Sequence, residues 1–413
     1  MKNIAVIGGG AAGLIAAGTA HEFGASVTLF EKNAKLGRKV AITGKGRCNV
    51  TNNCSEMEFM ANVVTNPRFM YSALSVFSPA DTMEFFESRK VKLKTERGNR
   101  VFPVSDRAYD IVDALGAYAS KCKIVHEAVT SLVIEDGEIN GVLTSATKDK
   151  PEGVKRYDFD AVIVCTGGAS YPLTGSTGDG YRFAKSAGHT VTPLRPALIP
   201  IDTDDGYELA GLSLKNVTLN VSLNGKKVFS DLGEMLFTHS GVSGPLVLSA
   251  SSLMSKADVS EYKMSIDLKP ALDHAALDKR ILSDFEKYKQ KNFGNALGDL
   301  LPIKMIPLVI GMSGISEYKK VYEISREERL KIVDILKAFP ITPSSFRPLD
   351  EAIVTSGGVS VKEINPKTME SKLVSGLYFA GEILDVDAFT GGFNLQIAFS
   401  TGRCAALSAI EEY

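Results

Sequence analysis

The opening stretch, MKNIAVIGGGAAGLIAAGTAHEFGASVTLFE, constrains the fold more than any other part of the chain. NIAVIG is a short β-rich run, AAGLIAAGTAHEFG suits a helix, and SVTLFE is strand-like again. Between the first strand and the helix, Gly8, Gly10 and Gly13 form GxGxxG. In such a turn the first glycine bends the chain sharply, the second lets backbone approach a pyrophosphate, and the third permits close helix–strand packing. The helix N-terminus then meets the phosphates with unpaired N–H groups and the positive end of its dipole. Glu31 closes the second strand, where a carboxylate accepts hydrogen bonds from the adenosine ribose hydroxyls. With strand, glycines, helix and acid in register, a dinucleotide site outweighs an ordinary glycine-rich turn.

The fingerprint alone does not separate FAD from NAD. The C-terminal stretch VSGLYFAGEILDVDAFTGGFNLQIAFSTG does. It pairs a strand ending in Ala380-Gly381-Glu382 with a glycine-rich helix start at Gly391-Gly392-Phe393-Asn394. A flavin needs this distant second contact, because its ribityl chain and ring reach far beyond the pyrophosphate. A helix N-terminus near the pyrimidine edge stabilises negative charge on the reduced ring.

Between these ends the texture changes. DAVIVCTGG is a buried strand ending in glycines, with Thr166 and Gly167 at its tip. Residues 69–90 and 106–120 read as helices around an extended RVFPV, and TSLVIE, NGVLTSA and VKRY alternate between DG and KDKPEG turns. After Gly188 come VTLNVSL and KKVFS, joined by Asn224-Gly225, a strong hairpin signal, and then YKMSIDL. Residues 272–336 turn helical, with a capping box at Ser325-Arg326-Glu327-Glu328. The reading is an α/β, Rossmann-like domain in two pieces, 1–188 and 349–413. A β-barrel insertion (189–271), a helical insertion (272–336) and a return through the barrel (337–348) lie between them.

Composition limits the partners. The formal net charge is −1, so no global basic field points to nucleic acid. No apolar stretch is long and glycine-free enough to span a membrane, and glycines at 8, 9, 10 and 13 break the signal-peptide mimicry of residues 1–20. The five cysteines at 48, 54, 122, 165 and 404 give neither a disulfide framework nor a zinc spacing. They fit a reducing cytoplasm. With five histidines and no HExxH, no metal is expected.

GKGRCNVTNNC, residues 44–54, poses the main ambiguity. It is not a phosphate loop, because GxxxxGK[ST] needs glycine where Lys39 stands and Ser or Thr where Gly46 stands. A redox pair of Cys48 and Cys54 is disfavoured by a spacing one residue too wide and by the absence of a second strand-GxGxxG-helix unit. What remains is a small-residue loop in which Thr43, Gly44 and Gly46 bring backbone N–H groups to a ligand, with Lys45 or Arg47 offsetting phosphate charge, or else a solvated basic loop.

TGKGRCNVTN, RVFPVSDRA, TGGASYPLTGSTGDGY, GEMLFTHSGVSGP, VTSGGV and GLYFAGEILDVDAFTGGFNLQIAFSTG occur in this order. With them the chain resembles, end to end, the bacterial BaiN/RdsA family of NAD(P)/FAD-dependent oxidoreductases, also labelled the aminoacetone-oxidase family. The resemblance implies a split FAD domain with a barrel and a helical domain inserted, and a GKGRCN loop that lines the flavin. It points to Gly8, Gly10, Ala12, Gly13, Glu31 and Lys32 at the nucleotide half, and to Val129 beside adenine. Thr43, Gly44, Gly46, Arg47, Cys48 and Asn49, with Thr166 and Gly167, fall near the ribityl and ring. Gly381, Glu382, Gly392, Phe393, Asn394 and Leu395 complete the site. The implied activity is hydride transfer between FAD and a small organic substrate, with NAD(P)H as donor. The alternative is amine oxidation by oxygen, and an RNA-modifying or non-catalytic flavoprotein stands behind both. His239, in FTHSGVSGP, is the acid–base candidate, and Ser240 or Ser243 would orient substrate.

Overall fold

Apolar alternation is absent from NIAVI and from AVIV, and both strands are buried on both faces, as a parallel sheet covered by helices requires. A computed structural model of the protein describes residues 1–145, 153–204, 207–254 and 257–411. Lys148 to Glu152, most of the expected KDKPEG turn, lie outside the described residues. The chain divides into two compact units, Met1–Ala197 with Pro348–Tyr413, and Leu198–Arg347.

In the first unit, five parallel strands run in the order Leu377–Phe379, Ala161–Val164, Asn3–Ile7, Ser26–Phe30, Lys123–Val125. The strand order reverses direction between Asn3–Ile7 and Ala161–Val164, and ligands of such sheets bind at the carboxyl ends beside that reversal. Helix Ala11–Glu22 leaves the first strand there, and Phe393–Ile410 packs against it. Their contact is backbone-close: a Cβ on Gly402 would sit 2.5 Å from the Ala12 carbonyl oxygen. Besides the pairing of Arg195–Ala197 with Val354–Ser356, two small antiparallel sheets complete the unit. One joins Thr51–Asn52, Arg100–Pro103 and Leu93–Glu96, the other Val129–Glu135, Glu138–Thr144 and Lys155–Asp158.

The second unit carries a seven-stranded antiparallel sheet, and its own hydrophobic cluster takes in both that sheet and the helices His274–Lys287, Ile306–Ser313 and Arg326–Lys337. The hairpin expected at Asn224-Gly225 joins Ser213–Leu223 to Lys226–Phe237, with both turn residues left-handed. The second of these strands runs on through GEMLF, well past the expected KKVFS. Among the described residues no helix is long and apolar enough to cross a membrane.

Candidate functional site

The carboxyl ends of the central strands build the site. Gly8 leaves Asn3–Ile7 with φ +106°, its N–H donating to Phe30 O at 2.8 Å. A Cβ on Gly13 would fall 1.8 Å from the Gly8 carbonyl oxygen, so this glycine is required by the turn itself. Gly10 differs. A Cβ there would meet nothing within 4 Å, and no side chain caps the helix that follows, so its first N–H groups face open space. Glu31 braces the turn: Oε2 accepts from Gly9 N at 2.8 Å, and Oε1 from Asn33 N and Nδ2 at 2.8 and 2.7 Å. Lys32 is engaged by Asp179 at 2.6 Å and by Thr177. Val129 is buried at the start of its strand, opposite Thr144.

The GKGRC segment curls tightly. Gly44, Lys45 and Gly46 are all left-handed, and so is Cys48. Two of the four carry a Cβ there, which costs each about 1 kcal/mol. The Cys48 N–H closes the loop onto Thr43 O at 3.0 Å, and the Thr43 hydroxyl donates to Val40 O. Arg47 lies over the Phe102 ring, 4.2 Å from its centroid, and is paired with Glu96 and Asp106 at 2.5 Å. Its charge is therefore already offset within the protein. Lys45 is exposed. Cys48 is fully buried, and burial pushes its thiol up to about 12; Cys54 is pushed to about 11, again chiefly by burial. All five cysteines are free. Such thiols are poor nucleophiles, and the pair lacks the low pKa of a redox couple.

The C-terminal return meets the same edge. Gly381 N donates to Thr401 Oγ1, and Gly392 opens the helix in a left-handed conformation with its would-be Cβ against Thr51 backbone. Asn394 folds back on Ala388, donating to its carbonyl and accepting from its N–H. Phe393 packs edge-on to Phe59, and Leu395 is half-buried against the core. Glu382 accepts from Lys39 Nζ at 2.7 Å, Thr355 N at 2.9 Å and Ser170 Oγ at 3.1 Å. The Thr355 hydroxyl in turn accepts from Ala169 N and Ser170 N.

Lys39, Ser170 and Thr355 were not anticipated as site residues. Lys39 and Glu382 stand 343 positions apart, so no local pattern connects them. The motif VTSGGV was the available signal for Thr355.

FAD fits this arrangement on an observation internal to the protein. A Cβ on Gly10 would meet nothing within 4 Å, and neither helix Ala11–Glu22 nor helix Phe393–Ile410 has a side-chain cap. Backbone N–H groups at both helix starts are therefore free for a ligand's phosphate and ring acceptors. His239 belongs to the second unit, exposed in the turn between Lys226–Phe237 and Gly241–Ser243. There Thr238 N donates to Gly241 O, and Ser240 Oγ accepts from Arg347.

Comparison with known proteins agrees. The HI0933-like protein Rossmann domain family matches residues 2–408. The chain is 30% identical to the 3-dehydro-bile acid delta(4,6)-reductase of Clostridium scindens, over the whole of both chains. It is 34% identical to the ribosomal RNA dihydrouridine synthase of Haemophilus influenzae, over 98% of this chain and 97% of the other. The solved 3-ketosteroid-delta4-(5alpha)-dehydrogenase of Rhodococcus jostii shares the fold, with a TM-score of 0.52 at 13% identity, covering 100% of this chain and 97% of the other. The protein is a flavin oxidoreductase with a Rossmann-like FAD-binding fold. By a match that spans nearly every residue, it belongs to the HI0933-like family.

Proposed function

We propose that this protein is an FAD-dependent reductase of carbon–carbon double bonds conjugated to a carbonyl group, with NAD(P)H as electron donor. The observation that carries this reading is the bond chemistry shared by two end-to-end relatives. A 3-oxo steroid with 4,6 unsaturation and the pyrimidine of uridine both present an alkene polarised by a carbonyl. When bound, FAD supplies the hydride. The residues proposed to hold it are those of the glycine turn, the GKGRCN loop and the Gly381–Leu395 return. His239 is proposed as the proton donor and Ser240 or Ser243 as orienting groups. The β-barrel and helical insertions are proposed divisions of Leu198–Arg347.

The near-neutral net charge favours a small free substrate. A second reading, in which the alkene is a base within RNA, has its own support. Residues 89–107 hold seven Lys or Arg against Glu96 and Asp106, and Lys94, Arg100 and Arg47 gather around Glu96.

The test is anaerobic. NADH or NADPH is expected to bleach the bound flavin, and a 3-oxo-Δ4 steroid acid to restore its colour. Recolouring only by uridine-containing RNA would select the second reading. Resistance to both nucleotides, with bleaching by a small amine, would overturn the reductase assignment in favour of an oxidase. His239→Gln should lower turnover about 100-fold with the flavin spectrum unchanged; unchanged turnover would remove His239 from the mechanism.

A further inference from the structure

RVFPVSDRA, residues 100–108, is one of the motifs the chain shares with its family, and the proposed reaction gives it no task. It forms the strand Arg100–Pro103, which lies between Thr51–Asn52 and Leu93–Glu96, and the turn in which Asp106 N donates to Pro103 O. The GKGRC segment is tied to this strand on both sides of Cys48. Before it, Arg47 reaches Glu96 on the paired strand and Asp106 in the turn, with its guanidinium over Phe102. After it, Val50 N donates to Val101 O at 2.9 Å, and Thr51 pairs with Val101. Phe102 also underlies the start of the loop: a Cβ on Gly44 would lie 3.5 Å from its ring. The same strand pair reaches the C-terminal return. Asn52 Nδ2 donates to both Gly98 O and Gly391 O at 3.0 Å, and the Thr51 hydroxyl to Gln396 Oε1 at 2.6 Å.

The charges around Arg47 close on themselves. Arg47 and Lys94 each pair with both Glu96 and Asp106, so two cations face two carboxylates. Arg47 Nε and Nη2 both serve Asp106 Oδ1, and Nη2 also serves Glu96 Oε1. A planar guanidinium fork is suited to such double engagement, where an ammonium group is not. To bind a phosphate it would have to release both carboxylates. The loop, by contrast, needs holding. Lys45 and Cys48 carry a Cβ at φ +59°, a conformation that persists only where the surroundings impose it.

We propose that Arg47 is a positioning residue: clamped by Glu96 and Asp106 over Phe102, it fixes the 44–48 loop in the shape that receives FAD, and RVFPVSDRA is the anchor of that clamp. The inference rests on the FAD assignment of the proposed function and deepens it. A loop already held in its bound shape loses less freedom when the ligand arrives, so the clamp raises affinity without touching the cofactor.

The two roles open to Arg47 predict opposite signs. If it acts through the loop, Arg47→Met and the paired change Glu96→Gln with Asp106→Asn should each weaken FAD binding about tenfold, and all three together no more than Arg47→Met alone. If it binds a phosphate of FAD directly, removing its carboxylate partners frees it. The paired change then leaves affinity equal or tighter, which overturns the proposal, as does a folded Arg47→Met protein of wild-type affinity. Hydrogen exchange of the full-length FAD-free protein reads the clamp itself. Peptides covering 43–49 should exchange faster in the paired variant, with those of strand Asn3–Ile7 unchanged; wild-type exchange in 43–49 overturns the proposal. If Arg47→Met does not fold, the paired variant decides alone. A wild type that takes up no FAD sinks the cofactor assignment instead, and the exchange measurement still reads the clamp. One that binds FAD but reduces no alkene sinks only the proposed reaction.

Discussion

At the scale of single residues, the buried polar groups carry the most specific consequences. His189 has a side chain with 0% exposure, packed edge-on to Phe379. Its Nε2 is 2.8 Å from Ser371 Oγ and its Nδ1 3.2 Å from Glu363 Oε2. Ser371 Oγ already accepts from Leu373 N and Val374 N, so its hydroxyl donates to Nε2 and the ring proton sits on Nδ1. Burial holds the histidine below its ordinary 6.5, against the opposing pull of Glu363. For Glu363, burial pushes upward, but the Thr190 hydroxyl and N–H together with His189 bring it below 4.5. The unfolded chain therefore binds more protons than the folded one in both windows, and stability rises with pH through each. The histidine contribution is complete above 6.5 and is lost as pH falls through the folded value; the carboxylate follows below 4.5. Urea midpoints should fall between pH 7 and 5 in the wild type. His189→Gln should cost about 1–3 kcal/mol at pH 7 and flatten that slope; an unchanged slope would clear His189 of the effect. None of this network was legible in the sequence, since its three members come from segments that only the fold brings together. The same holds for Lys39 with Glu382 and for Arg47 with Glu96 and Asp106. Residue type predicted charge at these positions, but not which charge was already spent inside the protein.

At the scale of elements, what could be read was what local chemistry alone dictates. The strand-glycine-helix opening, the Asn224-Gly225 hairpin and the Ser325 capping box all stand where the sequence puts them. In the last, Ser325 Oγ accepts from Glu328 N at 3.1 Å, and Glu328 accepts from Ser325 N at 2.8 Å. The stretch 69–90, read as helix, is broken into Tyr71–Val76 and Pro79–Ser88, because Ser78 caps a new helix and Pro79 takes its first turn. That signal was present in the sequence, at Ser78-Pro79. The opening turn also separates structural from ligand-facing glycine. Gly13→Ala drives a methyl into the Gly8 carbonyl and should lower the melting temperature of the FAD-free protein by several degrees, or abolish folding. Gly10→Ala points its methyl into open space at φ −89° and should leave the FAD-free melt unchanged, while weakening FAD binding. Equal effects of the two substitutions on the FAD-free protein would contradict the assignment of Gly10 to the ligand.

At the scale of the whole molecule, the sequence reading places a break after residue 188 at a change of texture. The compact first unit runs to Ala197, where Arg195–Ala197 pairs antiparallel with Val354–Ser356. A three-residue strand carries no periodicity, so only its partner defines it. This pairing has a consequence. Ala197 sits opposite Val354, so the strand that leads out of the first unit pairs with the one that follows the return at Pro348, an arrangement that favours excision of what lies between. Each unit also has its own hydrophobic cluster, one drawn from residues 4–187 and 359–409, the other from 201–341. Replacing 198–347 by a short glycine-rich turn should therefore give a folded protein that still binds FAD, because every proposed FAD contact lies in the first unit. It should have lost turnover, because His239 and its neighbours are gone. The segment 198–347 expressed alone should melt cooperatively and stay colourless with FAD. If the excised protein is colourless although folded, the second unit contributes to the flavin site, and the proposed set of contacts is incomplete.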